Sequence, residues 1–252
     1  MRRFTIPKEA FPDKKFSVTI EEPTYGIYRE ARKAYPVARS EDDPNKPGYQ
    51  FEELLMAMCL KQVNEQDLAS NSRDTVERLS SFTNPDRQYL FILFLEMFYA
   101  SKEERSRANK HGEELSLDPQ LSYSIDKHEM PSGSKSFTFY AGNTGAQMEV
   151  DRRYRGNTVQ GCGMEDMFFA FCLSEVDGEQ TETRKDIISI LDDWTIADVQ
   201  YATSLFLAMT TIDDGHVNSA KKLARELLAS SNAPATQPVK SSVKASTSSA
   251  NL

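Results

Sequence analysis

Apolar and polar residues alternate at Phe16-Ser17-Val18-Thr19-Ile20, a period of two that predicts a strand. Glu21-Glu22-Pro23-Thr24-Tyr25 breaks that pattern and opens a polar, Arg-rich helix from about Thr24 to Ala34. Tyr35-Pro36 stops it, because the residue before a proline avoids the α region. Residues 36–48 hold three prolines, several acids and one glycine and read as an exposed loop. The first strongly amphipathic helix is expected from about Tyr49 to Val63, with Phe51, Leu54, Leu55, Met58 and Cys59 on one buried face. A shorter helix is expected over Ser72–Leu79.

Asn84-Pro85-Asp86 supplies an N-cap, a first-turn proline and a first-turn acid. The helix it opens is apolar nearly all round, with Leu90, Leu93, Phe94, Met97 and Phe98 joined by Phe91, Ile92 and Leu95. That pattern predicts a central core helix that runs on into a charged, protruding end at Ser101–Lys110. The pattern changes at about Leu115. Ser136–Tyr140 and Ala146–Val150 are short alternating runs around Ala141-Gly142-Asn143-Thr144-Gly145, which reads as a hairpin turn. Leu121–Ile125 adds a third strand. Helices resume near Met164, and Thr195 with Asp198 forms a capping box for a helix carrying Ile196, Val199, Leu205, Phe206 and Met209. Residues 217–229 give a last amphipathic helix, and the Ser-, Ala-, Thr-, Pro- and Lys-rich tail from Asn232 has nothing to bury.

The expected fold is therefore α+β and mostly α-helical, with two helical blocks, a small antiparallel β insert and a disordered C-terminal tail. The block boundaries fall at 1–114, 115–160, 161–231 and 232–252. We find no internal repeat in the sequence. At 252 residues the chain is long enough for a sizeable core, and 39% hydrophobic with 27% charged residues is ordinary for a soluble protein. The net charge of −8 argues against broad nucleic-acid binding through phosphate neutralisation. No signal-peptide pattern opens the chain, and the most apolar run, Tyr89–Ala100, is too short to span a bilayer. These features predict a reduced, intracellular or particle-borne protein without a membrane partner.

Candidate chemistry is sparse. Cys59 and Cys172 lie in apolar runs and read as core residues. Gly161-Cys162-Gly163 places a thiol on a turn before a helix, which is one route to a reactive cysteine. A base is still needed, and His111, His128 and His216 stand in polar surroundings without a motif, so a plain loop is the favoured reading. Zinc-ligand spacing is absent, as is a phosphate-binding loop after Gly142–Gly145. Asp192-Asp193 and Asp213-Asp214 precede helices, where acids belong for dipole reasons alone. No catalytic residue, metal or cofactor is expected. Protein-interface candidates are Tyr25, Tyr28, Arg29 and Arg32 on the N-terminal helix, residue types that dominate interface hot spots. The basic run Arg152, Arg153, Tyr154 and Arg155 is a second candidate, for which a solvated patch or internal ion pairing is the competing reading.

The step Thr19-Ile20-Glu21-Glu22-Pro23-Thr24, followed by Phe51-Glu52-Glu53-Leu54-Leu55-Met56-Ala57, resembles the tail- and baseplate-assembly proteins of contractile-tailed bacteriophages. The resemblance covers about the first 100 residues and the general order of elements, and Phe137–Val150 matches a small β segment in some baseplate hub assembly proteins. It implies a non-enzymatic structural or assembly (chaperone) role through contacts with other tail or baseplate proteins, within an assembly, in the virion or the host cytoplasm. It implies no catalytic residues. The chain has no cysteine between 60 and 161, which argues against a metal role shared with relatives that carry cysteines around the β segment. Two other classes stand as alternatives: a host-directed adaptor using Arg152–Arg155, and a Cys162-dependent enzyme.

Overall fold

A computed structural model describes residues 2–35, 50–68, 77–154, 161–181, 187–210 and 219–225. Residues 1–211 form one unit, and the described part of the second unit is a helix over 219–225. The fold is α+β and mostly helical, as the sequence predicts. The predicted tail from Asn232 lies outside the described residues.

The chain opens with β1 (Arg3–Ile6), a 3-10 turn at Lys8–Ala10, β2 (Val18–Glu21) and α1 (Tyr25–Ala34). Next come α2 (Phe51–Cys59), β3 (Leu60–Val63), β4 (Gln66–Asp67), a 3-10 turn at Glu77–Ser81 and α3 (Asn84–Phe98). After α4 (Lys102–Ser116) the same series runs again. It comprises β5 (Ser122–Ile125), a 3-10 turn at Lys127–Glu129, β6 (Phe137–Tyr140) and α5 (Thr144–Tyr154). It ends with α6 (Met164–Cys172), β7 (Leu173–Val176), β8 (Glu179–Gln180), a 3-10 turn at Ile187–Leu191 and α7 (Ile196–Thr210).

The molecule is thus an internal duplication, which corrects the expectation of no repeat. Two antiparallel four-stranded sheets have the same order, β1-β2-β3-β4 and β5-β6-β7-β8. Their irregularities coincide as well: a bulge sits between Thr19 and Ile20 in one and between Thr138 and Phe139 in the other. The hairpins after β3 and β7 both place residues at positive φ, Asn64-Glu65 and Asp177-Gly178. In each, the hairpin side chain accepts from the backbone of an equivalent serine, Ser17 N–H to Asn64 (2.9 Å) and Ser136 N–H to Asp177 (3.0 Å). Among the described residues, each repeat also buries one aspartate completely near the start of its last helix. Asp86 accepts from the Asp13 N–H and Asp198 from the Ser132 N–H, both at 3.0 Å.

Several local expectations change. The helix expected through Val63 ends at Cys59, and the backbone turns extended at Leu60. Val63 and Leu60 instead pair with Val18 and Ile20 of β2, so an available strand edge overrides the helical period. Ala146–Val150 is helix α5, not the second arm of a hairpin. Both edges of β6 are taken by β5 and β7, and the Asn143 side chain accepts from the Ala146 N–H (2.8 Å), capping a helix where a turn was expected. The cap of α3 is Thr83 rather than Asn84. Of the helix expected over 72–79, residues 72–76 lie outside the described residues and the rest falls in the 3-10 turn at Glu77–Ser81. The charged end expected beyond α3 is a separate helix, α4, opened by a capping box between Ser101 and Glu104.

Each repeat has its own core. The first packs Val18, Ile20, Met56, Phe82 and Phe94; the second puts Phe137, Phe139, Phe169, Trp194 and Phe206 at the matching places. Phe137 and Phe169 flank Trp194 with ring centroids 5.4 and 6.1 Å away, in the tilted and edge-on geometries that aromatic quadrupoles favour. The repeats interlock across their boundary. Tyr25 and Ala108 belong to the second core, and Ile196 belongs to the first. Helix α4 lies against α7 so closely that a Cβ at Gly112 would stand 2.2 Å from the Leu205 carbonyl oxygen.

Candidate functional site

The N-terminal interface candidates divide. Tyr25 and Arg29 are buried, 3% and 5% exposed, and join the first repeat to the second. The Tyr25 backbone N–H donates to the Trp194 carbonyl (2.8 Å) and the Gly26 N–H to the Asp192 carbonyl (3.0 Å). Arg29 adds an ion pair to Asp192 at 2.6 Å, and the Tyr25 hydroxyl donates to Asp166 at 2.5 Å. Burial, and then the Asp166 carboxylate, push the Tyr25 phenol far up, so it stays a donor. Gly161 closes this seam: at φ +67° a Cβ there would lie 2.2 Å from the Arg29 carbonyl oxygen. Tyr25 and Arg29 therefore serve an interface inside the molecule. Tyr28 stacks on Tyr25 at 5.3 Å, and the Arg32 guanidinium lies over Phe51 at 4.5 Å, so these two remain at the half-open rim.

Arg152 and Arg153 are exposed on the last turn of α5. Both donate to Glu149, at 2.7 and 2.6 Å, and their hydrogen bonds hold its carboxyl down at about 2. Much of the cluster's charge is met by its own helix. Tyr154 ends α5, and Arg155 lies outside the described residues, so the structure does not bring all four together.

The remaining chemistry-bearing groups have structural tasks. Cys59 and Cys172 occupy matching helix ends, and burial pushes both thiols up to about 12. Asp126, His128 and Glu129 lie close enough to offer ligand atoms to one ion. Glu129, however, accepts from the Asp126 N–H (2.8 Å) and caps the turn, and His111 Nδ1 stands 3.7 Å from it. His216 lies outside the described residues.

One surface stands out when the repeats are superposed in sequence. Tyr89, Ile92 and Glu96 of α3 match Tyr201, Ser204 and Ala208 of α7, both counted from the capping threonines Thr83 and Thr195. On α7 that face is covered by α4: Tyr201 is 1% exposed with Arg107 stacked 5.1 Å above its ring, and Ala208 meets Gly112. On α3 the face is open, with Tyr89 36% and Ile92 61% exposed. The expectation of a central core helix holds for the other side of α3, where Leu90, Phe94 and Phe98 are buried, and fails on this one. The sequence carried the signal in the all-round apolarity of α3, which one core could not absorb.

The fold and its surfaces define a tandem-repeat α+β protein with an open apolar helix face and no membrane-crossing helix among the described residues. No known protein family, curated protein or solved structure matches the chain.

Proposed function

We propose that this protein is a non-enzymatic assembly subunit that works by holding other protein subunits against its helices. Following the resemblance of its N-terminal pattern, it is a contractile-phage tail or baseplate component, either retained in the particle or acting as a chaperone in the host cytoplasm. The observation that carries the interaction reading is the open face of α3. An exposed Tyr and Ile would mean little alone. Here Tyr89 occupies the position that Arg107 of α4 covers in the other repeat, and Ile92 stands on the same face, at the place of the half-buried Ser204.

Mass spectrometry of purified particles, beside an affinity pull-down from producing cells, tests this. A fixed stoichiometry in the particle makes the protein a structural subunit, and recovery only with tail proteins in extracts makes it a chaperone. In the same pull-down Ile92→Glu should lose its partners. Absence from particles together with no tail protein in the pull-down refutes the phage reading, and unchanged partners for Ile92→Glu refute the role of α3.

A further inference from the structure

The contact between the two repeats is heterologous. The first repeat contributes α1 and the following α4, and the second contributes α7 with the turn before it. A heterologous contact uses two different surfaces, so the first repeat keeps an unused receiving face and the second an unused donating face. The receiving face is the open side of α3 just described. On the donating side, the position on α5 matching Arg29 of α1 is Met148, which is 66% exposed. The segment matching α4 is the helix over 219–225.

That helix repeats the small-residue part of the α4 docking face in order, with Ser219 where α4 has Arg107. Counted from the capping threonines, Ala220 matches Ala108, Leu223 matches His111 and Ala224 matches Gly112. On α4 these positions lie against α7, where Ala108 and Gly112 are buried. In the 219–225 helix all seven residues are exposed, and Leu223 is 56% exposed. Its flanks carry Lys221, Lys222 and Arg225, while α3 carries the exposed Glu96 where α7 has Ala208. Small residues, one apolar contact and opposite charge thus align in the register that α4 and α7 already use.

We propose that the 219–225 helix of a second copy of this chain docks on the open face of α3, extending the contact between repeats from one molecule to the next. This rests on the reading of α3 as an interface and names its occupant. Two copies exchanging helices close into a pair, and copies joined in one direction form a chain.

The test is the mass of the full-length protein by light scattering at up to about 100 μM, where any micromolar Kd is visible. Wild type should be at least twofold above the monomer mass. Ile92→Glu and Leu223→Glu, both at exposed positions, should each keep the wild-type circular dichroism, and the wild-type Tm at dilutions where wild type is itself a monomer, yet run as monomers at the higher concentration. Mixed together they should form a one-to-one dimer, because one retains the helix and the other the face. Wild-type monomer overturns the proposal, as does a mixture that stays monomeric or a variant that keeps the wild-type mass. If wild type is monomeric but Ile92→Glu still loses tail proteins in the pull-down, the α3 reading stands and only self-association fails. A monomer destabilised by deletion of 219–225 would mean that the helix packs within its own chain, which also overturns the proposal.

Discussion

Gly112→Ala on α4 sets two effects of known sign against each other. Helix propensity alone favours alanine by about 0.8–1 kcal/mol. The new Cβ, however, would stand 2.2 Å from the Leu205 carbonyl oxygen and 2.9 Å from the Ala208 Cβ, both on α7. The nearest obstacle is backbone and cannot rotate away. The helices must separate by roughly 1 Å, and a gap of that size forfeits a quarter to a half of each affected dispersion contact. Overpacking of this kind costs about 1–3 kcal/mol, and the distances place this site at the upper end. The net expectation is a loss of about 2 kcal/mol. With an m-value of about 2 kcal/mol/M in urea, the unfolding midpoint falls by about 1 M. Asn109→Ala, at an exposed position on the same helix, isolates the propensity term and should raise stability by about 0.5 kcal/mol. A Gly112→Ala midpoint at or above wild type would show that α4 does not pack on α7 as described.

The two buried aspartates should differ in cost. Asp198 accepts from the Ser132 N–H (3.0 Å) and hydroxyl (2.6 Å), whereas Asp86 accepts from the Asp13 N–H (3.0 Å) with its second oxygen unpaired. Asp198→Ala is expected to lose about 3–5 kcal/mol and Asp86→Ala about 1.5–3 kcal/mol in urea unfolding, and equal losses would refute the assignment. Acid should destabilise the fold. Glu22 is held below its ordinary value by the Arg2 hydrogen bond and Glu21 by that of Lys61. Asp177 is pushed up by burial but held down on balance by the Ser136 N–H and Lys135. Because these folded values are depressed, the stabilisation is complete above the ordinary values of 4.5 and 3.8 and is lost as pH falls through the folded ones. A urea midpoint unchanged between pH 7 and pH 3 would contradict this. Thiol labelling should show one fast site, Cys162, with Cys59 and Cys172 reacting only on unfolding; three fast thiols would refute the burial of the α2 and α6 ends.

Local signals were legible where they acted locally. Thr24, Thr195 and the Asn84-Pro85-Asp86 step marked helix starts to within a residue, and β2, β5 and β6 showed their alternation. What failed was set by partners far along the chain. Leu60–Val63 became a strand because β2 lay beside it, and Ala146–Val150 became a helix because both edges of β6 were filled. Side-chain exchange hid the duplication in the sheets and part of the core. Val18, Ile20 and Met56 have become Phe137, Phe139 and Phe169, a swap of aliphatic for aromatic bulk, and Phe82 has become the larger Trp194, changes that cores tolerate when volume is redistributed. Unequal loops also shift the spacing between equivalents twice along the chain. Two stretches keep a visible trace: in Phe51–Leu60 against Met164–Leu173, Ala57, Cys59 and Leu60 recur as Ala170, Cys172 and Leu173, and in the last helix Asp86, Gln88, Tyr89, Leu93, Phe94, Leu95 and Met97 recur as Asp198, Gln200, Tyr201, Leu205, Phe206, Leu207 and Met209. Of the interface candidates, residue type was informative for Tyr25 and Arg29, but they proved to serve the seam within the molecule, while Ile92 was absorbed into an expected core.

The dependence of the second repeat on α4 has a consequence for synthesis. Helix α4 ends at Ser116, but its partner α7 is complete only at Thr210. At about 5–20 residues per second the ribosome leaves α4 waiting for roughly 5–20 seconds. A helix with a leucine-rich docking face would be a hazard over that interval. The face of α4 is instead built around Ala108 and Gly112, with the single Leu115 at its end, and is ringed by charge from Lys102, Glu103, Glu104, Arg105, Arg107 and Lys110. It gains its hold from close approach rather than from oiliness, so the nascent chain offers little for a wrong partner to grip until the right one emerges.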